Sequence, residues 1–313
     1  MADNQVAQEL RRVQGSKVRV DEPLARHTSI KIGGPADYFV DLENAVALSW
    51  MLRLLQEHRI PFFLLGNGSN VLVSDQGVRG AVLHLSGEFK KVEWGEEGGQ
   101  VWVTAGAAYA VAQLVRETVR RGYSGLEFAE GIPGSVGGAL VMNAGAYGAE
   151  IEKVVDRVEG MTREGRAVFF RREELAFSYR DAHLPAATIV TRVRLRLAKV
   201  ATKGMQRQLR ELVYKRKTSQ PSGYPNSGSM FRNPPGDFAG RLIEAVGLKG
   251  RRMGKAEISM RHANFIINLG GARAEDVRGL MELAGSEVMK NFGVQLETEV
   301  KFLGVWSGGV PEV

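Results

Sequence analysis

Residues 131–148, GIPGSVGGALVMNAGAYG, hold six glycines and three alanines in eighteen positions. Glycine admits positive φ and lets backbone N–H groups approach a ligand with no Cβ in the way, which is how loops cradle phosphate oxygens. A second loop of this kind, LGNGSNVLVSD at 65–75, follows an apolar run directly. Two such loops suit two walls around one long, phosphate-bearing ligand; the competing reading of each is a set of tight turns. Standard nucleotide fingerprints do not fit. GNGSNV lacks the third glycine of G-x-G-x-x-G, and GIPGSVGG has a different spacing. GRRMGKA at 250–256 has three residues rather than four between its glycines, with no hydroxyl after Lys255, so it is not a P-loop.

The elements that must hold these loops read as α+β. PFFLL (61–65) and VLVS (71–74) are short buried strands, and Leu48, Met51, Leu52 and Leu55 lie at helical spacing within 43–58, before Pro61. Val111, Leu114, Val115 and Val119 mark a second helix. VVDRVEGMTREGRAVFF predicts a hairpin turning at REG, and TRVRLRL alternates with Val193, Leu195 and Leu197 on one face. Beyond residue 200 the pattern becomes helix, glycine-rich loop, helix, strand. Met205, Leu209, Leu212 and Val213 form one stripe, and Val277, Leu280, Met281, Ala284 and Val288 another. The closing run VQLETEVKF predicts a strand with Val294, Leu296, Thr298, Val300 and Phe302 on one side.

At 313 residues the chain is long enough for about two domains of ~150 residues. No apolar run approaches a membrane span, and the polar start MADNQVAQELRRVQG is not a secretory signal. The absence of Cys excludes disulfides, thiolate metal sites and cysteine nucleophiles, and the five His show no metal spacing. The expectation is a cytoplasmic protein with no metal and no membrane partner. The formal charge of +7 suits nucleic acid and small polyphosphate ligands alike. Acids interrupt the basic residues, as in RREELAFSYRD, and the densest run, YKRKTSQ (214–220), is short.

Six motifs occur in a fixed order: RHTSIKIGGPA (26–36), LGNGSNVLVSDQGVRG (65–80), GIPGSVGGALVMNAGAYG, FSYRD (177–181), PNSGSMFRNP (225–234) and LETEV (296–300). In this order the chain, from about residue 20 to 303, resembles the UDP-N-acetylenolpyruvoylglucosamine reductases, flavoenzymes of peptidoglycan synthesis. The resemblance implies a two-part FAD-binding unit of the vanillyl-alcohol-oxidase type plus a C-terminal α+β substrate domain. The expected parts are 1–79 and 80–200 for FAD and 201–293 for substrate, with 294–313 packing on the first. It also implies non-covalent FAD, NADPH as cosubstrate, a UDP-sugar substrate, no nucleic acid and a monomer.

On this resemblance Gly66, Asn67, Gly68, Ser69 and Asn70 hold the cofactor from one wall. Ile132, Pro133, Gly134, Ser135, Gly137, Gly138, Asn143, Gly145, Ala146, Tyr147 and Gly148 hold it from the other. Arg180 matches the family's catalytic arginine and Ser229 its proton donor. Glu299 matches a carboxylate that meets the substrate or neutralises Arg180. Lys217 and Asn233 match contacts to the UDP-sugar, while His262 and Asn264 fit a structural role near the site. Two departures stand out. Ala182 replaces the usual Ser after YRD, and the segment from Arg180 to the strand at 188 is too short for the long-form tyrosine loop, as in the short-form, type II subclass. Competing readings are an FAD-dependent alcohol oxidase of the same fold and a basic nucleic-acid-binding module, the latter colourless and steeply salt-dependent.

Overall fold

A computed structural model describes residues 4–97, 100–185 and 188–307. The last residues of the expected C-terminal strand segment, 308–313, lie outside the described residues. The fold is α+β. Contacts divide the chain into two units rather than at the expected boundaries near 80, 200 and 294. One unit takes 1–20, 38–67 and 80–215; the other takes 21–37, 68–79 and 216–313.

The first unit begins with helix α1 (Asn4–Arg11), then α2 (Ala45–Glu57), α3 (Val111–Arg121) and α4 (Val136–Val141), and takes in most of α5 (Thr202–Ser219). Local chemistry starts and stops these helices. The Asn44 side chain accepts the Ala47 N–H at the head of α2, and Leu48, Met51, Leu52 and Leu55 are buried as their spacing predicts. Gly122, at φ +74°, closes α3. The expected hairpin forms: Val155–Met161 pairs antiparallel with Ala167–Arg171, and Met161 faces Ala167 across the turn. A five-stranded antiparallel path runs Ala167–Arg171, Val155–Met161, Ile189–Lys199, Gln100–Gly106, Val92–Glu97. Val193, Leu195 and Leu197 point into the core, and Arg194 stacks 4.4 Å from the Trp102 ring on the other face. Val213 departs from its expected stripe. It is 44% exposed while Met205 and Leu212 are buried, because one narrow line of α5 meets the core.

In the second unit Val71–Val73 pairs parallel with Lys301–Leu303. A four-stranded sheet runs Asn226–Ser229, Phe265–Asn268, Ala256–Ile258, Arg252–Met253. Helices α6 (Ala239–Ala245) and α7 (Ala274–Phe292) belong to the same unit, and its core joins Ile30, Ile32 and Leu72 to Leu242, Val277 and Leu280. Asp75 caps α7, accepting Ala274 N at 2.9 Å and Glu275 N at 3.2 Å. The strand expected over 294–302 is shorter. Only Lys301–Leu303 is strand; before it Thr298 makes one isolated bridge to Phe231. Glu299 N and Val300 N both point at Met230 O, so no regular ladder forms there. Among the described residues, no helix is long and apolar enough to cross a membrane, and no cluster of three or more His, Asp or Glu is placed to hold a metal.

Candidate active site

The glycines of the two loops are there for more than one reason. In the first unit a Cβ at Gly66 would lie 2.8 Å from Ser135 Oγ, and one at Gly137 would lie 2.8 Å from the Ala107 Cβ. Both glycines serve the packing of the protein on itself. Ser135 is buried and caps α4, accepting Gly138 N at 3.3 Å. A Cβ at Gly145 would stand 2.7 Å from Glu150 Cγ. Gly134 and Gly148, at φ +123° and +80°, have backbones that side chains avoid, and a Cβ at Gly148 would have nothing within 4 Å. Half-buried Ile132 packs on the first unit's core; Tyr147, between Ala146 and Gly148, is exposed and directs its hydroxyl at Leu212 O, 3.5 Å away.

In the second unit Gly68 is held at φ +59° against the backbone of His27 and Thr28, where no Cβ fits. Ser69 and Asn70 follow, and Asn70 Nδ2 donates to Glu299 O at 3.1 Å while Asn70 O accepts Lys301 N at 3.0 Å. Gly228 has φ +79°, and the nearest atom to a Cβ there would be Ser69 O at 4.0 Å. At Gly148 and Gly228 space is not the constraint: the positive φ of each is a backbone conformation that side chains rarely adopt. The 66–70 and 132–148 loops are the segments that the resemblance assigns to FAD.

Ser229 and Glu299 come together around Met230, whose carbonyl accepts Glu299 N at 2.8 Å. Asn264, 3% exposed, secures the same segment from the other side: its Oδ1 accepts Phe231 N at 2.9 Å and its Nδ2 donates to Phe231 O at 2.8 Å. The carboxamide thus copies a neighbouring peptide group and extends the ladder past Ser229, where Met230 N bonds to Asn264 O. Asn264→Ala leaves both Phe231 groups buried without partners, so urea unfolding should show a loss of about 2–6 kcal/mol, from ~1–3 kcal/mol for each of the two unsatisfied groups. Beside it, burial holds the His262 imidazole below its ordinary range, with Lys249 adding to the effect, and its Nδ1 accepts Asn264 N at 3.3 Å. Asn233 is exposed, and its Oδ1 accepts Ala239 N at 3.1 Å at the head of α6. Lys217 is exposed near the end of α5, with its backbone oxygen bound by Arg261.

Arg180 belongs to the first unit, in a tight turn closed by Ser178 N to Asp181 O at 2.8 Å and Asp181 N to Ser178 O at 3.1 Å. Its φ is +62°, a conformation that glycine or asparagine normally supplies at this position of a turn and that costs other residues about 1–3 kcal/mol. Arg180 Nη1 donates to Gly145 O at 3.4 Å, and the guanidinium lies 5.2 Å from the Tyr179 ring. Ala182 is buried and tied through its own N–H to Val141 O at 3.1 Å. The buried Asn143 side chain reaches this turn as well, a contact 35 residues away in sequence that no local pattern announces.

Residues 36–171 match an FAD-binding domain, and residues 220–303 match the C-terminal domain of UDP-N-acetylenolpyruvoylglucosamine reductase. With the two glycine loops, these matches define an FAD-dependent oxidoreductase. A reductase of that name from Symbiobacterium thermophilum is 46% identical over 92% of each chain, and one from Heliobacterium modesticaldum is 43% identical over 92% of this chain and 91% of its own. The crystal structure of the Thermus caldophilus UDP-N-acetylenolpyruvylglucosamine reductase aligns with a TM-score of 0.79 at 40% identity, covering 92% of this chain and all of that one. This chain belongs to the UDP-N-acetylenolpyruvoylglucosamine reductase family.

Proposed function

We propose that this chain reduces the enolpyruvyl ether of UDP-N-acetylglucosamine enolpyruvate to the lactyl ether of UDP-N-acetylmuramate. NADPH is the electron donor, and the reaction serves peptidoglycan precursor synthesis in the cytoplasm. The observation that carries this reading is similarity over nine-tenths of the chain to reductases that bear the enolpyruvyl sugar in their names. Bound FAD, held without a covalent link, supplies the relay of hydride from NADPH to the terminal methylene of the substrate.

The residues of the chain then have two tasks. Hydride addition leaves negative charge on the carbon beside the carboxylate, and that charge spreads into the carboxylate as an enolate. Arg180 presents a planar guanidinium that pairs two N–H groups with two carboxylate oxygens, a fixed cation aimed at charge that grows in the transition state. Ser229 donates its Oγ proton to the carbon. A hydroxyl is a weak acid, but a carbanion is basic enough to take its proton. Water then reprotonates the serine, and Glu299 supplies the second charged group at the substrate. Lys217 and Asn233 hold the diphosphate end.

The deciding assay is NADPH consumption with and without the enolpyruvyl UDP-sugar. NADPH should be consumed rapidly only when the sugar is present, and the product should be heavier by one hydride and one proton. Oxygen-dependent turnover that leaves the sugar unchanged would point to an oxidase instead. Lys217→Ala should raise KM for the sugar on the order of tenfold, equivalent to ~1.4 kcal/mol, with a smaller effect on kcat, because a contact remote from the reacting carbon contributes uniform binding. A steady-state comparison showing unchanged KM and a collapsed kcat would place Lys217 at the chemistry.

A further inference from the structure

We propose that Asn143 is a positioning residue for Arg180, its side chain fixing where the guanidinium stands rather than binding the cofactor. The inference rests on the reading of Arg180 given under Proposed function. Asn143 is fully buried, and the protein takes up all of its carboxamide: Nδ2 donates to Ser178 O and to Glu150 Oε2, both at 2.9 Å, while Oδ1 accepts Glu152 N at 3.3 Å. Two acceptors on one side and a donor on the other define its orientation. Its own φ of +38° is one that asparagine tolerates better than most residues.

The group it reaches matters. Ser178 O is the carbonyl that closes the Arg180 turn, so Asn143 adds a second donor to the acceptor on which the turn depends. The turn needs such support because Arg180 occupies a left-handed conformation without being glycine. Two more bonds come from the same stretch of loop: Ala182 N to Val141 O and Arg180 Nη1 to Gly145 O. The segment 141–145, inside the expected flavin loop, thus holds the arginine turn at three points, of which Asn143 makes the one nearest the turn's closure. The cofactor loop and the arginine that must face the substrate are thereby built as one piece within this unit.

The test uses holoenzyme of two variants. Asn143→Gly keeps the positive φ and removes the tether; Asn143→Asp keeps the size but sets a carboxylate against Ser178 O and the Glu150 carboxylate. Stopped-flow absorbance should show flavin reduction by NADPH within about threefold of wild type and reoxidation by substrate slowed roughly 10²-fold, the scale of losing one aimed donor. In an Arg180→Ala background the same substitutions should slow reoxidation no further, since residues acting through one another are not additive. Limited trypsinolysis of the resting protein gives an independent readout: cleavage after Arg180 should accelerate about tenfold or more in Asn143→Gly as the turn opens more often. Additive slowing, equal damage to both half-reactions, unchanged trypsin cleavage, or loss of FAD by both variants would each overturn the proposal. If Arg180→Ala alone reoxidises at the wild-type rate, the reading beneath it fails instead, which is a separate result.

Discussion

Ser229→Ala purifies yellow with its FAD, is reduced by NADPH at nearly the wild-type rate, and then stalls: this is the expected result, with turnover of the enolpyruvyl sugar down by roughly 10²–10⁴-fold, the usual share of a positioned proton donor. The substitution removes one oxygen from a segment whose backbone is held independently by Asn264 on one side and Glu299 on the other. The fold and the affinity for substrate should therefore persist. What is lost is the proton that quenches the carbanion after hydride transfer. Ser229→Cys returns a transferable proton to nearly the same place and should recover part of the rate. Single-turnover reoxidation in normal and heavy water gives the check, because the proton step should become rate-limiting in the cysteine variant and show a larger isotope effect. A Ser229→Ala enzyme that turns over at the wild-type rate would falsify the assignment, and the proton would have to come from water or another group.

Arg180 and Glu299 should produce the next largest losses, and in the same half-reaction. Arg180→Ala removes a fixed cation from the growing enolate, and a loss of ~10²–10³-fold in reoxidation is typical for one such donor. Arg180→Lys should recover little, since a point charge cannot reproduce the two parallel bonds of a guanidinium to a carboxylate. Glu299→Gln keeps the backbone bond of residue 299 to Met230 O and alters only the charge, so it tests the carboxylate without disturbing the turn around Met230. Flavin reduction by NADPH should remain close to wild type in all three. Equal slowing of reduction and reoxidation would assign these residues to the architecture of the site rather than to its chemistry.

The sequence by itself determined what depends on neighbours a few residues apart. The stripes of α2, α3 and α7, the hairpin turning within 162–166 and the alternation of Val193, Leu195 and Leu197 all follow from one buried face meeting a fixed helical or strand period. The motif order also revealed the family, since six local segments in one order carry information that no single segment does. Only the tertiary structure decided matters set by partners distant in the chain. The expected strand over 294–302 is mostly not strand because Met230, some seventy residues earlier, accepts both Glu299 N and Val300 N. The missing side chains of Gly66 and Gly137 answer to Ser135 and Ala107, whereas Gly148 and Gly228 answer to a positive φ; one residue type serves two purposes, and composition cannot separate them. Asn143 is the sharpest instance. In sequence it sits among the glycines of 131–148, and only the folded chain brings Ser178, Glu150 and Glu152 around its carboxamide. A buried amide takes whichever partners satisfy its donors and acceptor, and those partners are set by how the chain returns on itself rather than by the residues beside it.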